Sequence, residues 1–417
     1  SMKNRQEEFD VVVIGAGAAG LMAAGRAAER GVRVAIIDKN KNLGRKLLIT
    51  GNGRCNITQA EFNDKEFVKK LDKKGQWLFS ALAAFGPKEA IDFFESRGLK
   101  TKVEPGGRVF PISDKAQEVL DVLLKYLREK KVKIFLGEEV LGFNLKNKKI
   151  VSVKLGDQEI NARSFILCTG GKAYPVTGST GDGYSWAGIL GHKVVKLVPA
   201  LVPVETKETW PKNLSGLSLK NVRLNLWQDS KKQDSRLGEM LFTHFGLSGP
   251  IVLDISKKIG ELLPAGEIII EIDLNPALDI LQLDKRLQCD FMANRNKDLK
   301  NYLPDLVPQK MAETIIKFSK IDAHKKLNAL SREERKKIAT LLKSLKTGVR
   351  GLMGFDQAMV TGGGVDLKEI DSRTMRSKII DNLFFAGEII DLDGPTGGYN
   401  LQICWSTGYV AGTNAIS

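Results

Sequence analysis

The stretch Phe9-Asp10-Val11-Val12-Val13-Ile14-Gly15-Ala16-Gly17-Ala18-Ala19-Gly20 decides the reading of this 417-residue chain. Its apolar run reads as a buried parallel strand, and Gly15 permits the tight turn that follows. Gly17 lets the backbone approach a pyrophosphate, while Gly20 lets a helix over 18–30 pack against the strand. The first amides of that helix, from Ala18 and Ala19 onward, and its dipole then face the phosphates. Gly31 ends the helix and a second strand runs over 32–37. Asp38 and Lys39 stand about 20 residues past the turn, where a carboxylate accepts ribose hydroxyl hydrogen bonds. Strand, turn, helix, strand and acid in this register predict an α/β dinucleotide-binding domain and exclude a mere tight turn.

Length and composition bound the rest. A chain of this size exceeds what one hydrophobic core usually sustains, so two or three domains are expected. Hydrophobic residues make up 42%, enough for globular cores, yet no apolar run nears the roughly 20 residues that cross a bilayer. With no secretory signal pattern at the start, a cytoplasmic protein without a membrane partner is expected. Ser1 before Met2 reads as a cloning remnant. The cysteines, Cys55, Cys168, Cys289 and Cys404, form no C-x-x-C pair, and only three histidines occur. That argues against structural zinc, a disulfide framework and a histidine-built metal centre.

Further along, Gly44-Arg45-Lys46 leads into Gly51-Asn52-Gly53-Arg54-Cys55-Asn56, a loop able to wrap an anionic cofactor with backbone donors and cations. Arg54 beside Cys55 could lower a thiol pKa, against the plainer reading of a small packing residue. Strands are expected over 133–136, 150–155, 158–162 and 164–167, the last entering the turn Thr169-Gly170-Gly171. Near the end, a strand over 382–385 delivers Gly387 and Glu388. Gly397-Gly398-Tyr399-Asn400 then opens a helix over 401–415, beginning at Leu401.

Gly15 to Gly20, the Gly51 to Asn56 loop, Val360-Thr361-Gly362-Gly363-Gly364-Val365 and Gly394-Pro395-Thr396-Gly397-Gly398-Tyr399-Asn400-Leu401-Gln402 together resemble the YhiN/BaiN-like family of bacterial FAD-dependent oxidoreductases. The likeness spans nearly the whole chain. It implies a Rossmann-type, glutathione-reductase-like FAD domain interrupted by a β-barrel domain that carries a helical excursion. It further implies that Val140 brackets the adenine, that Thr169-Gly170-Gly171 passes close to the cofactor, and that Glu388 hydrogen-bonds the ribitol. The amides opening the last helix would then stabilise negative charge on a reduced flavin. One departure is Thr50-Gly51-Asn52-Gly53, where many relatives have a serine and more glycines.

The expected organisation is an FAD domain over 1–195 and 356–417, a barrel over 196–277, a helical insert over 278–345 and a return strand over 346–355. The runs 197–204, 222–228, 251–255 and 267–274 look β-like, and 354–360 looks like a returning strand. Apolar residues three or four apart, such as Ile315 and Phe318, mark helices over 278–345.

Net charge is +15, concentrated in 309–350, which holds 12 Lys or Arg against 4 Asp or Glu. This stretch is either a solvated basic face or a polyanion-docking surface, and no known RNA-binding module accompanies it. Three functions remain open. One is a flavoenzyme that takes hydride from transiently bound NAD(P)H and reduces a small unsaturated or carbonyl substrate. Another is uridine reduction to dihydrouridine in ribosomal RNA, to which the family resemblance lends support, and the third is a non-catalytic FAD-binding redox sensor. Cys55, His244, Asp182 and Tyr399 are the catalytic candidates, and no metal site is expected. Gly178 to Gly183 reads as a glycine-rich turn opening a helix, either a generic turn or one that holds part of the flavin or substrate.

Overall fold

The computed structural model describes residues 7–156 and 158–416, so Ser1 and Met2 lie outside the described residues. The chain divides into two compact units, 1–200 with 355–417, and 201–354.

In the first unit, strand β1 (Glu7–Ile14) occupies the middle of the main sheet because it is apolar on both faces, with Val11, Val12 and Val13 fully buried. The order is Lys133–Leu136, β2 (Val34–Asp38), β1, Gln158–Leu167, Lys149–Leu155, Val140–Lys146. Parallel pairing sets Val13 against Ile36 on one side and Ile166 on the other. Helix α1 (Ala18–Glu29) packs directly on the last helix, Tyr399–Asn414. Their backbones meet because glycines allow it: a Cβ at Gly408 would lie 2.5 Å from the Ala19 carbonyl oxygen, and one at Gly412 2.4 Å from that of Ala23.

What reads as two runs, 158–162 and 164–167, is one strand with two roles. Its first half pairs antiparallel with Lys149–Leu155, and its second half receives Leu383–Phe385 in parallel, Ile166 against Phe384. The C-terminal segment thereby completes a sheet begun at the N-terminus.

The second unit is a closed barrel in the order Val204–Thr206, Gly246–Ser248, Lys231–Phe242, Ser218–Gln228, Ile268–Asp273, Leu345–Leu352. Helices Ile280–Ala293, Gln309–Ser319 and Arg332–Lys343 share its core, since Leu283, Ile315 and Ile338 belong to the same apolar cluster as Leu224 and Ile270. Capping boxes at Asp279 with Gln282 and at Ser331 with Glu334 start two of them.

Three sequence expectations require correction. The run 251–255 lies within the helix Pro250–Leu262, started by Gly249 at φ 89° with Pro250 at its first position. Burial of Ile251, Val252, Ile255 and Ile259 follows helical spacing, and a short apolar run alone does not separate the two states. The stretch 197–204 breaks at Leu201 (φ 48°) into the end of one strand, Val194–Ala200, and the start of another, Val204–Thr206. Residues 354–359 form no strand; the strand is Val360–Val365, antiparallel to Val194–Ala200. Its glycines are needed because a Cβ at Gly363 would fall 2.2 Å from the Lys196 carbonyl oxygen.

Candidate functional site

Gly15 takes φ 101° and donates its N–H to the Ile37 carbonyl at 2.8 Å, and a Cβ there would strike the Cys168 carbonyl oxygen at 2.3 Å. At Gly20 a Cβ would stand 1.8 Å from the Gly15 carbonyl oxygen, so this glycine seats α1 on the turn. Gly17 differs: a Cβ there meets no atom within 4 Å, and as N-cap of α1 it offers no side-chain cap. The first amides of α1 therefore remain for whatever lies beside the turn.

Beside it opens a cleft of ≈ 1370 Å³, contained in the first unit. Of the residues singled out in the sequence, Gly15, Gly17, Ala18, Ala19, Asp38, Lys39, Arg45, Lys46, Val140, Thr169, Gly170, Asp182, Gly387, Glu388, Asn400 and Leu401 line it. Asp38 is fixed at the end of β2, accepting the N–H of Ala16 at 2.7 Å and of Asn40 at 2.8 Å. Lys39 bonds Asp182 and Thr180, joining the tip of β2 to the start of the helix Asp182–Ile189. Farther along, Lys46 Nζ lies 2.8 Å from Glu388, whose other oxygen accepts the Thr361 N–H at 2.7 Å.

Near the C-terminus, Gly397 and Gly398 adopt φ 109° and 101°, turning the chain into the last helix. Asn400 latches that turn: its Oδ1 accepts the Gly394 N–H at 2.9 Å, and its Nδ2 donates to the carbonyls of Gly394 (2.8 Å) and Pro395 (3.2 Å). A Cβ at Gly398 would lie 2.4 Å from the backbone of Thr58, and Gln59 Nε2 donates to the Gly397 carbonyl at 3.2 Å. Gly397, Gly398 and Tyr399 thus shape the turn without lining the cleft. Tyr399 is buried with its ring on Phe67, centroids 4.8 Å apart. Gly171 is likewise a support, since a Cβ there would meet Thr361 Oγ1 at 2.4 Å.

The loop Gly51 to Asn56 does not line the cleft; Thr50 just before it does. Arg54 is committed to Glu104 and to Asp114 at 2.8 Å, with its guanidinium 4.0 Å above the Phe110 ring. Its charge therefore holds the loop to a neighbouring sheet rather than balancing a phosphate. Cys55 is wholly buried, and burial pushes its thiol up to about 12, which sets aside activation by Arg54 and agrees with the plainer reading of a packing residue. His244 is exposed between two barrel strands of the second unit, its ring edge-on to Phe245. Asp182 is an ion-paired wall residue.

Cleft residues that sequence reasoning missed include Thr177, Trp186, Met359 and Val360, while Gly178 to Gly181 of the glycine-rich turn line the cleft too. The Gly178 to Gly183 stretch carried the available signal, being one more glycine-rich turn opening a helix. Cys168 and Cys404 also line the cleft, and burial raises both thiols, Cys404 to about 12. Because Cys289 is the one exposed cysteine, a thiol titration near neutral pH is expected to count one fast group in the native protein and four after denaturation. Rapid labelling of Cys55 in the native state would contradict its burial. Among the described residues, no group of three or more His, Cys, Asp or Glu is placed to hold a metal, and no helix is long and apolar enough to cross a membrane.

Comparison with known proteins matches residues 9–414 to the family described as the HI0933-like protein Rossmann domain. A 3-dehydro-bile acid delta(4,6)-reductase of Clostridium scindens is 33% identical over 97% of this chain and 98% of its own. A ribosomal RNA dihydrouridine synthase of Escherichia coli is 32% identical over 99% of each. Among solved structures, an open-conformation flavocytochrome c3 fumarate reductase aligns with TM-score 0.53 and 18% identity over 98% of this chain and 78% of that one. A 3-ketosteroid delta1-dehydrogenase of Sterolibacterium denitrificans gives TM-score 0.53 and 14% identity over 97% and 99%. At such identities the structures speak for the fold alone. The sequence relatives and the family match agree with the resemblance carried by the glycine motifs, and the chain belongs to the HI0933-like Rossmann-domain family.

Proposed function

We propose that the cleft holds FAD along its length and that the chain uses it to carry hydride from NAD(P)H to a carbon–carbon double bond or a carbonyl. The carrying observation is that a single cleft is lined both by the Gly15 to Ala19 turn and by Asn400 and Leu401 of the last helix. The chain is an FAD-dependent oxidoreductase. Two details fit that cofactor: the open space beside Gly17, and Thr169 Oγ1, a buried hydroxyl oxygen on the cleft wall without a hydrogen-bond partner among the described residues.

Bound FAD supplies the hydride chemistry. The first amides of α1 bind the pyrophosphate, and Asp38 orients the ribose through its remaining lone pairs. Lys46 and Glu388 hold the ribitol end, and the first-turn amides of the last helix stabilise negative charge on the reduced ring. The bile-acid relative is named for reducing carbon–carbon double bonds, which favours a conjugated alkene over an isolated carbonyl. The test is identification of the released flavin, followed by stopped-flow reoxidation against oxygen, enones and unmodified ribosomal RNA. Reoxidation by an enone faster than by oxygen supports the reading; release of FMN, or reoxidation by oxygen alone, overturns it.

A ribosomal RNA substrate is the second reading, favoured by the relatives of that name in Escherichia coli and Haemophilus influenzae. Part of the basic stretch is already committed: Lys325 pairs with Glu334 at 2.8 Å and Lys326 with Asp298 at 2.7 Å. Lys336 and Lys337 are exposed and form no ion pair among the described residues. Reversing these two to Glu is expected to lower the salt slope of RNA binding by about 2, as two fewer counterions are released. Flavin reduction by NAD(P)H is expected to be unchanged, and an unaltered slope removes this face from any RNA site.

A further inference from the structure

A groove separate from the cleft, ≈ 740 Å³ and open to solvent, lies on the first unit, lined by Trp77, Leu367, Lys368, Ile370, Asp371, Ser372, Arg373 and Lys378. Trp77 is half-buried, one side packed on the core, and its indole N–H has no hydrogen-bond partner among the described residues. None of Lys368, Arg373 and Lys378 forms an ion pair among the described residues, although all three are exposed. Asp371 forms no ion pair with them; its Oδ1 accepts the Arg373 N–H at 2.8 Å and the Thr374 N–H at 3.3 Å, and its charge leaves the groove with a net excess of two cations.

Both walls are rigid. Trp77 stands in the short helix Asp72–Leu78, which Lys74 ties to the buried carboxylate of Asp391 at 2.6 Å. Arg373 sits at the tip of a loop closed by the Asp371 N–H to Arg376 carbonyl bond (2.8 Å) and anchored by the fully buried Met375. A half-buried indole beside three exposed cations without ion-pair partners matches a flat ring carrying phosphate.

We propose that this groove binds a nucleotide, the base stacked on Trp77 and the phosphate held by Lys368, Arg373 and Lys378. The same chemistry is offered by a free nucleotide and by a segment of single-stranded RNA, and the test separates them. The groove shares no residue with the flavin cleft, so its failure leaves the flavin reading intact.

The FAD-loaded full-length protein is titrated with ADP and with a fluorescein-labelled ten-residue oligouridylate, at two salt concentrations. Trp77→Leu is expected to weaken binding about tenfold, the usual scale for a lost base–aromatic stack. Trp77→Phe keeps a ring and is expected to stay within about threefold. Arg373→Glu with Lys378→Glu is expected to weaken binding at least tenfold and to flatten the salt dependence by about 2 for the oligonucleotide. Oligonucleotide affinity at least tenfold above that of ADP assigns the groove to a strand, and comparable affinities assign it to a free nucleotide. Failure of both probes to bind at millimolar concentration overturns the proposal, as does binding unchanged in either the Trp77→Leu or the charge-reversed protein. Should Trp77→Leu lose its flavin through misfolding, the Trp77→Phe and charge-reversed proteins decide: undiminished binding in the latter still overturns it.

Discussion

Gly17→Val is expected to give a folded protein depleted of flavin. Gly17 has φ −81° and ψ −171°, a conformation open to any residue, and nothing in the protein lies within 4 Å of a Cβ built there. The added methyls can therefore clash only with what enters the cleft beside α1. Overpacking at such a contact costs about 1–3 kcal/mol, or roughly a five- to hundredfold loss of FAD affinity. Gly20→Val is the contrasting variant, because its Cβ would lie 1.8 Å from a backbone carbonyl and the strain falls on the fold itself. Visible flavin absorbance and a thermal melt, recorded together, separate the two. A Gly17→Val protein with full flavin and an unchanged melt would move the cofactor away from this turn.

Leu401→Pro is expected to make the bound flavin harder to reduce while sparing the helix. Residue 401 lies in the first turn of Tyr399–Asn414, where the N–H has no carbonyl four residues back within the helix and proline is tolerated. Removing one amide aimed at developing negative charge forfeits about 1.5–3 kcal/mol. For a two-electron couple that is a potential roughly 30–65 mV more negative. Asn400→Leu acts differently: it deletes the latch on Gly394 and Pro395, so flavin occupancy is expected to fall before the potential moves. Redox titration of a folded Leu401→Pro protein with an unchanged potential would set this helix terminus apart from the ring.

Local chemistry was legible in the sequence and partnership was not. Gly15, Gly17, Gly20 and Asp38 could be read because a turn, a helix start and a strand end lie within one short stretch, and each residue type answers a backbone need at a fixed offset. Arg54 misled because its partners, Glu104 and Asp114, lie 50 and 60 residues away, and they turn an apparent phosphate cation into a loop anchor. Lys46 and Glu388 meet across 342 residues, a contact that no spacing rule announces. For Cys55 the plainer reading of a packing residue holds, because proximity to Arg54 in sequence says nothing about burial, and burial decides the thiol. The run 251–255 failed on length, being too short for its period to show.

The sheet closure at Leu383–Phe385 has a bearing on how the protein is made. Synthesis delivers β1, β2 and Gln158–Leu167 first, then all of residues 201–354, and only afterwards the strand and helix that complete the first unit. The barrel unit, continuous in the chain, can fold while translation is still under way, whereas the nucleotide-binding half waits exposed for its C-terminus. Val11, Val12 and Val13 spend that interval in a sheet lacking its last strand, and α1 lacks the helix that meets it at Gly408. Nascent chains are therefore expected to leave apolar surface of this unit uncovered until residue 383 has left the ribosome. Flavin loading is expected to await the finished polypeptide, since Asn400 and Leu401 form part of the cleft wall.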